Sequence, residues 1–448
     1  MNKEGFAKFL QNNILTLFTG SEIVGEDAST NREGIVAQGA NGSVLVKFHK
    51  SDNYRFVIKR VQPFKQFEMN LIKTIIQEYD ELYSSGIKNE HLERLQTYTI
   101  EKAVCKAISR NGSRTLLELI DLMSHWGQRT YEGNNLDLGF IVTAQKMPKS
   151  TNPNLHLSKI MSQDFSALLT DGIDTCIELS SNGYLVNYIT IPPVKTDIAQ
   201  APYDYLKMAN LCTGAKVGVS LMRNGDLLIF KDRSLVFARR SNKWLCYSHD
   251  EIINKISERS GEGGADIRRA IYFTALDTSF TKNGACIVHI NKEETDNVLK
   301  HIDEKDLLIE KYYNAKKDQK VNLSFFYDAD EQRSQEKTYE EFLKEPENIK
   351  LVTLKSMIMG RKFQDLDRKM RQELVSIDGA TIIDPDGQII ACGAIIKIEA
   401  GSSGGGRLAA TKTLAKYGVA LKISADGFIE GFKMDRQKLR VRPTFIVG

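Results

Sequence analysis

Two segments near the C-terminus combine a carboxylate with a glycine-rich loop and an arginine. Asp378 comes directly before an apolar run that begins with Gly379 and Ala380, and residues 401–406, Gly-Ser-Ser-Gly-Gly-Gly, are followed by Arg407. A carboxylate can hold a divalent cation. Glycines and an arginine at the start of a helix can hold a phosphate, because backbone amides, helix dipole and forked guanidinium all favour an anion. The two segments therefore predict a site for a metal and a nucleotide phosphate.

The flanking patterns place both segments on neighbouring elements of one sheet. The runs 380–384 and 388–396 are apolar enough to be buried strands, and residues 385–387, Pro-Asp-Gly, supply the turn between them. Asp378 then stands at a sheet edge, where a carboxylate can face a ligand. The glycine loop leads into a helix, and the apolar strand after that helix ends at Ser424.

These elements resemble the diadenylate cyclase (DAC) domain, which is the nucleotide-binding domain of DNA-integrity scanning proteins. The stretches that carry the likeness are Asp378-Gly379-Ala380 with its hairpin, the glycine loop with Arg407, the strand that ends at Ser424, and residues 275–288, which are similar to the family's first helix and strand. The resemblance covers about 265–435, interrupted by a charged insertion at about 300–350, and nothing before residue 260 takes part.

The resemblance implies a ligand, a cofactor and an assembly. In the family, the aspartate of Asp-Gly-Ala helps to bind the metal that serves the ATP phosphates, and an Arg-His-Arg motif binds those phosphates. Two domains meet face to face and join two ATP molecules into cyclic di-AMP. This chain is accordingly expected to bind ATP or a related nucleotide with Mg²⁺ or Mn²⁺, as a homo-oligomer with facing domains. The implied roles are Asp378 as the catalytic and metal-binding carboxylate, and Gly379, Ala380, Gly404, Gly405, Gly406, Arg407 and Ser424 as nucleotide-binding residues.

The chain departs from the family at its phosphate motif. Leu408 and Ala409 stand where the family has histidine and arginine, and Ala425 replaces a glutamate. Loss of one oxyanion-type donor costs other enzymes roughly 2.7–4 kcal/mol of transition-state stabilisation. Because phosphoryl transfer likewise depends on positioned charge, we expect these losses to affect catalysis more than binding. Two functions stay open. The intact Asp-Gly-Ala favours a diadenylate cyclase, whereas the altered motif favours a catalytically silent sensor of a nucleotide or cyclic dinucleotide, with an N-terminal relay or effector region.

Each candidate residue also has a structural alternative. Asp378 could cap its strand, Arg407 could form a solvated ion pair with a carboxylate such as Glu399, and Ser424 could be purely structural. Asp277 is another carboxylate near the first strand of this region, and we expect it on a helix surface.

Composition excludes several other classes of protein. The 448 residues suggest roughly two to four domains, and 61 basic against 57 acidic residues leave a net charge of +4, which does not favour nucleic-acid binding. No apolar run approaches the roughly 20 residues that span a bilayer, and the N-terminus lacks a signal-peptide pattern, so we expect no membrane partner and a cytoplasmic location. The six cysteines show no CxxC spacing and fit buried, reduced thiols rather than zinc ligands or disulfides.

Hydrophobic periodicity predicts an α/β protein (α+β overall), and the spacing of apolar residues predicts helices over residues 66–132. The predicted regions are an N-terminal α+β region at 1–145, a β-rich middle domain at 146–260, and a DAC-like domain with a mixed sheet flanked by helices at 261–448. Asn41-Gly42 lies between two alternating runs and predicts a hairpin, because this pair suits the positive φ angles of a type I′ turn. A polar, glycine-rich stretch at 258–264 marks the last boundary. No internal repeat with a solenoid period is visible.

Overall fold

The computed structural model describes residues 3–27, 34–49, 54–85, 89–193, 198–256, 264–324, 338–398 and 405–448. The chain divides into two units, Met1–Ser248 and His249–Gly448. Helices make up 43% and strands 26% of the structure, so the predicted mixed α/β class is confirmed. In the described ranges, no helix combines the length and the apolar character needed to cross a bilayer.

The first unit contains seven α-helices and thirteen strands among its described residues. The helices are α1 Lys3–Phe9, α2 Leu15–Leu17, α3 Gln66–Ser84, α4 Asn89–Ile108, α5 Ser113–Trp126, α6 Leu157–Ile160 and α7 Leu206–Leu211, with a π-helical segment at Leu10–Ile14 and 3₁₀ turns at Ala40–Gly42, Pro153–Leu155, Asp164–Leu168 and Tyr203–Tyr205. The strands are β1 Ser21–Asp27, β2 Val36–Gln38, β3 Val44–Val46, β4 Arg55–Arg60, β5 Thr130–Tyr131, β6 Asn134–Asn135, β7 Leu138–Val142, β8 Thr175–Leu179, β9 Leu185–Thr190, β10 Val217–Leu221, β11 Leu227–Lys231, β12 Ser234–Arg240 and β13 Lys243–Cys246.

Two larger sheets and one hairpin organise these strands. One sheet has the antiparallel order β1-β4-β3-β2, and the other has the order β13-β12-β11-β10-β7-β8-β9. In the larger sheet β7 and β8 run parallel, while all its other neighbours are antiparallel. The predicted hairpin is confirmed, since β2 pairs with β3 around Asn41 and Gly42, which have φ of 54° and 73°.

Helix α3 illustrates how the apolar pattern becomes packing in this unit. Its buried apolar residues are Leu71, Ile72, Ile75, Ile76 and Tyr79. Spacings of three and four residues put such side chains on one face of a helix, which then packs against the core. The predicted helical periodicity of residues 66–132 is therefore confirmed as α3, α4 and α5.

The boundaries of the units differ from those expected from the sequence. The larger sheet joins β7, which precedes the expected break at 145/146, with β8 to β13, which follow it. A single cluster of buried apolar residues also extends from Phe6 to Trp244. The second unit begins at His249, ahead of the expected break at 260/261, because the helix that starts at that residue belongs to it. Local sequence patterns do not show which strands share one sheet.

The second unit consists of one sheet and the helices around it. The helices are α8 His249–Lys255, α9 Ala265–Phe280, α10 Thr295–Leu299, α11 Glu310–Ser324, α12 Tyr339–Leu343, α13 Ile349–Ile358, α14 Arg368–Val375 and α15 Gly405–Leu414, with 3₁₀ turns at Lys292–Glu294, Glu304–Asp306, Pro346–Asn348 and Phe363–Asp365. The strands are β14 Ala285–Ile290, β15 Ala380–Ile383, β16 Ile389–Ala394, β17 Gly418–Ile423, β18 Ile429–Asp435 and β19 Arg440–Val447.

The sheet of the second unit is mixed, in agreement with the expectation for this region. Its order is β16-β15-β14-β17-β18-β19, and only β14 and β15 run parallel. All six residues of β14 are buried. Helices α9 and α15 both pack against β14, β17 and β18. The charged stretch expected as an insertion at about 300–350 includes α11, α12 and the start of α13, which lie between β14 and β15 along the chain.

A buried ion pair joins α9 to α14. The Asp277 carboxylate accepts hydrogen bonds from Nε of Arg368 at 2.7 Å and from Nη2 at 2.9 Å. The two side chains are only 1% and 4% exposed. The expectation that Asp277 lies on a helix surface is therefore wrong, because its partner is far away in the sequence and no local pattern indicates the pairing.

We expect Arg368→Leu to lower the free energy of unfolding by about 3–5 kcal/mol, because it leaves the Asp277 carboxylate buried without its countercharge. Urea denaturation followed by circular dichroism measures this loss. The matched control is Arg442→Leu, which removes one partner of the more exposed pair with Asp435 and should cost less than about 1 kcal/mol. Equal losses in the two variants would show that the buried pair contributes no more than the exposed one.

Candidate functional site

A cavity of about 510 Å³ in the second unit is bordered by both of the segments singled out in the sequence. Its lining residues are Cys286, Asp378, Gly379, Ala380, Ala394, Ile395, Ile396, Ile398, Gly405, Gly406, Arg407, Leu408, Ala410 and Lys422. Cavities that bind small molecules have volumes of roughly 300–1,000 Å³, so this one can accept a ligand of nucleotide size. The fold therefore brings Asp378 and Arg407 to one cavity although they are apart in the sequence.

The predicted site residues fall into three groups. Those that line the cavity are Asp378, Gly379, Ala380, Gly405, Gly406 and Arg407. Gly404 lies outside the described residues. Ser424 is not part of the lining and begins the turn between β17 and β18, where its amide donates to the Phe428 carbonyl and its own carbonyl accepts from Gly427, both at 2.9 Å.

Gly379 lets the start of β15 lie close to the end of β16. Its φ is 115°, and a Cβ atom placed on it would lie 2.4 Å from the carbonyl carbon of Gly393 and 2.7 Å from the Ala394 oxygen. Only glycine fits such a conformation and such a contact. The neighbouring residue, Asp378, is exposed at this sheet edge. Within the described ranges, no group forms a hydrogen bond or ion pair with its carboxylate, so the strand-capping alternative gains no support.

Arg407 lies at the start of α15, and its guanidinium packs over Gly284, which precedes β14. A Cβ atom on Gly284 would be 2.1 Å from Nη1 of Arg407, so a larger residue there would displace the arginine. Among the described carboxylates, none pairs with Arg407. Glu399, its alternative partner, lies outside the described residues. Arg407 is exposed and therefore accessible to an anion in the cavity.

Lys422 is a second cation in the lining, and the sequence analysis missed it. It lies on β17 directly opposite Cys286 of β14, and its ammonium group pairs with Glu430 of the neighbouring strand β18. The side chains of Lys422 and Glu430 are 22% and 24% exposed. The only sequence signal was a lysine inside an otherwise apolar strand.

The rest of the lining is mostly apolar. Ala380, Ala394, Ile396, Leu408 and Ala410 all contribute to it. Apolar lining with a few charged groups is typical of small-molecule sites. The cavity can therefore accept a molecule with an apolar face and an anionic end.

The thiol of Cys286 is also part of the lining. It lies 3.4 Å from the Thr411 hydroxyl, and burial raises the pKa of the thiol to about 11. The thiol is therefore protonated at neutral pH, and because the thiolate is the nucleophilic form, Cys286 is not an activated nucleophile.

The cavity suits a metal ion that binds together with a ligand better than an ion held by protein side chains alone. In the parts of the chain that the structure describes, no three His, Cys, Asp or Glu side chains are grouped to hold an ion. Mg²⁺ is commonly held by one or two carboxylates together with substrate phosphates. Asp378 is the carboxylate of the cavity, so it fits the protein ligand of such a shared site.

Comparison with known proteins assigns no family to the chain. No protein-family model, no curated protein and no solved structure matches it. The interpretation of the cavity therefore depends on its own geometry and on the motif resemblance.

We expect Gly379→Ala to lower the free energy of unfolding by about 1–3 kcal/mol, since it adds a clash with β16 to the strain of a positive φ angle. Gly360→Ala is a matched control, because Gly360 also has a positive φ, of 67°, but a Cβ on it would meet no atom within 4 Å. Thermal unfolding of both variants measures the difference. If Gly360→Ala costs as much as Gly379→Ala, the contact between β15 and β16 is not the reason for the glycine.

Proposed function

We propose that the second unit is a DAC-like nucleotide-binding domain and that ATP or a closely related nucleotide occupies its cavity. The observation that carries this proposal is the convergence of Asp378 and Arg407 on one cavity of about 510 Å³. A carboxylate that can share a metal with a phosphate and a guanidinium that can bind the phosphate directly are complementary groups for such a ligand.

The positive groups of the cavity define the phosphate end of the ligand. Arg407 offers a forked donor, and Lys422 adds a second positive charge from the sheet. Gly405 and Gly406 bring the backbone at the start of α15 into the lining, where the helix dipole favours negative charge. These groups support phosphate binding even though the family's histidine and second arginine are replaced.

The remaining lining suits the base and sugar. Ala380, Ala394 and Ile396 present apolar surface, on which a base can be desolvated without burying an unpaired charge. Mg²⁺ or Mn²⁺, when bound through Asp378 and the phosphates, would offset phosphate charge. Asp378 would in turn orient that end of the nucleotide.

Binding and turnover are separate questions for this site. The cyclase function needs two such domains facing each other, each with a bound ATP. The sensor function needs only one occupied cavity and is favoured by Leu408, which presents an apolar side chain to the cavity where the family has a histidine. The intact Asp378-Gly379-Ala380 favours the cyclase.

We expect the purified chain to bind Mg·ATP, and we expect Arg407→Ala and Lys422→Met each to weaken binding by about 10- to 100-fold, because a hydrogen bond to a charged group contributes about 1.5–3 kcal/mol. Titration calorimetry measures both affinities. Lys433→Met is the control, since Lys433 lies on β18 of the same sheet but does not line the cavity. Absence of ATP binding by the unaltered chain would refute the proposed function.

Incubation with radiolabelled ATP and Mn²⁺ or Mg²⁺ decides between the cyclase and the sensor. If the chain is a cyclase, cyclic di-AMP forms, and Asp378→Asn lowers the rate by about 100-fold or more, as for loss of one electrostatic stabiliser of a transition state. If it is a sensor, ATP binds without product, and Asp378→Asn removes only the metal dependence of binding. Product that persists in Asp378→Asn would exclude Asp378 from catalysis.

A further inference from the structure

The larger sheet of the first unit repeats the strand arrangement of the second unit's sheet. In the first unit, β7 runs parallel to β8, β8 forms an antiparallel hairpin with β9, and β10, β11 and β12 follow antiparallel on the other side of β7. In the second unit, β14 to β19 repeat every one of these relations in the same chain order. Strand β13 is an addition at the edge of the first sheet.

The helices that precede matching strands also match. Helix α5 comes before β7 and packs against β7 and β11, and α9 comes before β14 and packs against the equivalent strands β14 and β18. Helix α7 comes before β10 and packs against β10 and β11, and α15 comes before β17 and packs against β17 and β18. The correspondence thus includes the elements that flank the sheets.

The pairing register extends the match to single residues. The equivalent cross-strand pairs are Gly139–Ser220 with Cys286–Lys422, and Val142–Val217 with His289–Val419. Phe140–Ile177 corresponds in the same way to Ile287–Thr381. Counting back along β8 and β15 from these pairs puts Asp174 at the position of Asp378.

The turns agree in their hydrogen bonds as well. In the β8–β9 turn the amide of Ser180 donates to Tyr184 and that of Gly183 to Ser180, and in the β15–β16 turn Asp384 donates to Gln388 and Gly387 to Asp384. The β10–β11 and β17–β18 turns match in the same way. In the first of them the amide of Met222 donates to Asp226 and that of Gly225 to Met222, and in the second the amide of Ser424 donates to Phe428 and that of Gly427 to Ser424. Two copies of one fold therefore follow each other in this chain.

The copies differ at the position of the cavity. In the first copy, the backbone of Gly172 lies on the pair Gly139–Ser220, which is equivalent to the lining pair Cys286–Lys422. A Cβ on Gly139 would be 2.2 Å from the Gly172 Cα, and one on Gly172 would be 3.1 Å from the Ser220 hydroxyl. Ser220 is fully buried.

Residues 170–172 are held over the sheet by further contacts. The Thr170 hydroxyl donates to the carbonyl of Gly139 at 3.2 Å. The Gly172 amide donates to the carbonyl of Thr175 at 2.9 Å. The chain itself therefore covers the equivalent of the Cys286–Lys422 pair, which lines the cavity in the second copy. The first copy's own cavity of about 420 Å³ lies on the other side of residues 170 and 171 and includes neither Gly139 nor Ser220.

The position of Arg407 is also changed in the first copy. Counting back equally from the matched residues Val217 and Val419 places Tyr205 at the position of Arg407. Tyr205 is only 4% exposed, and its ring stacks on Phe230 with a centroid distance of 6.0 Å. Burial raises the pKa of this phenol, so Tyr205 is neutral at physiological pH. An apolar, buried ring thus replaces the cation.

We propose that the first unit carries a second, self-filled copy of the nucleotide fold, in which residues 170–172 occupy the place of a ligand and Tyr205 replaces the cation at the position of Arg407. The chain then holds one nucleotide, in the second unit only. The stoichiometry rests on the proposed function, whereas the filled state of the first copy does not. Arg407 and Lys422 correspond to the uncharged residues Tyr205 and Ser220, so the fold does not require these two cations, whereas the carboxylate of Asp378 has an acidic counterpart in Asp174.

Thiol labelling of two matched positions tests the filled state without any nucleotide. We expect the introduced thiol of Lys422→Cys to react with a maleimide at least about 100-fold faster than that of Ser220→Cys in the folded chain, because the latter reacts only when the segment opens. Peptide-resolved mass spectrometry separates both from the native thiols, and equal rates in urea show that the reagent does not discriminate. Similar rates in the folded state would overturn the proposal.

Hydrogen exchange of the unaltered chain gives a second readout should Ser220→Cys fail to fold. The Gly172 amide is expected to exchange at least about 100-fold more slowly than an unstructured amide, because residues 170–172 are packed on the sheet. Exchange of this amide at the rate of an unstructured chain would count against a filled copy.

Titration with Mg·ATP tests the stoichiometry. We expect one ATP per chain, complete loss of binding in Arg407→Ala combined with Lys422→Met, and unchanged binding in Asp174→Asn, the counterpart of Asp378→Asn. Two ATP per chain, or one remaining site in the double variant, would overturn the inference. If the unaltered chain binds no ATP, the proposed function and the stoichiometry both fail, while the labelling result still decides whether the first copy is filled.

Discussion

The parallel pairing of β14 with β15 is the constraint on which the site depends. Parallel strands start at the same edge of a sheet, and antiparallel neighbours end there. Cys286 and Ala380, which are paired near the starts of β14 and β15, therefore lie at the same edge as Lys422 near the end of β17 and Ala394 at the end of β16. A parallel pair also needs a long crossover, and α10 to α14 provide it. One pairing thus gathers residues from four strands around a single cavity.

Charge and close packing oppose each other at this edge. Gly379 must be glycine because β16 approaches it closely, and Gly284 leaves room for the Arg407 guanidinium. Both glycines place charged neighbours beside an apolar wall, where charge is less well solvated than in water. Glu430 offsets the charge of Lys422, whereas the described residues offer no carboxylate to Arg407. A charged group beside an apolar wall lowers stability, and proteins tolerate such arrangements mainly at functional sites.

Local chemistry made part of this structure predictable. The turns at Asn41-Gly42 and at residues 385–387 were predicted correctly, because a positive φ angle depends on the turn residues themselves. The helices of residues 66–132 were predicted correctly from the spacing of their apolar residues. Local chemistry did not predict four other features, namely the parallel pair of β14 and β15, the extent of the first unit, the burial of Asp277 and the place of Lys422 in the cavity lining. Each depends on contacts between residues far apart in the sequence. The sequence did not show the repeat for the same reason, because the two copies share strand order and register but few identical residues.

The two copies show that this sheet does not need a ligand to fold. An empty space at the end of an apolar sheet is unfavourable, because each Å² of apolar surface left in water costs roughly 25 cal/mol. The first copy avoids this cost by placing the backbone of Gly172 over the equivalent pair of strand residues. The second copy keeps the space open and lines it with Arg407, Lys422 and Asp378. Because the filled arrangement is available to the same fold, stability alone does not explain an open cavity with two cations. A ligand of the proposed kind would, because its anionic end would supply a countercharge to Arg407 and the rest of the molecule would supply the missing contacts.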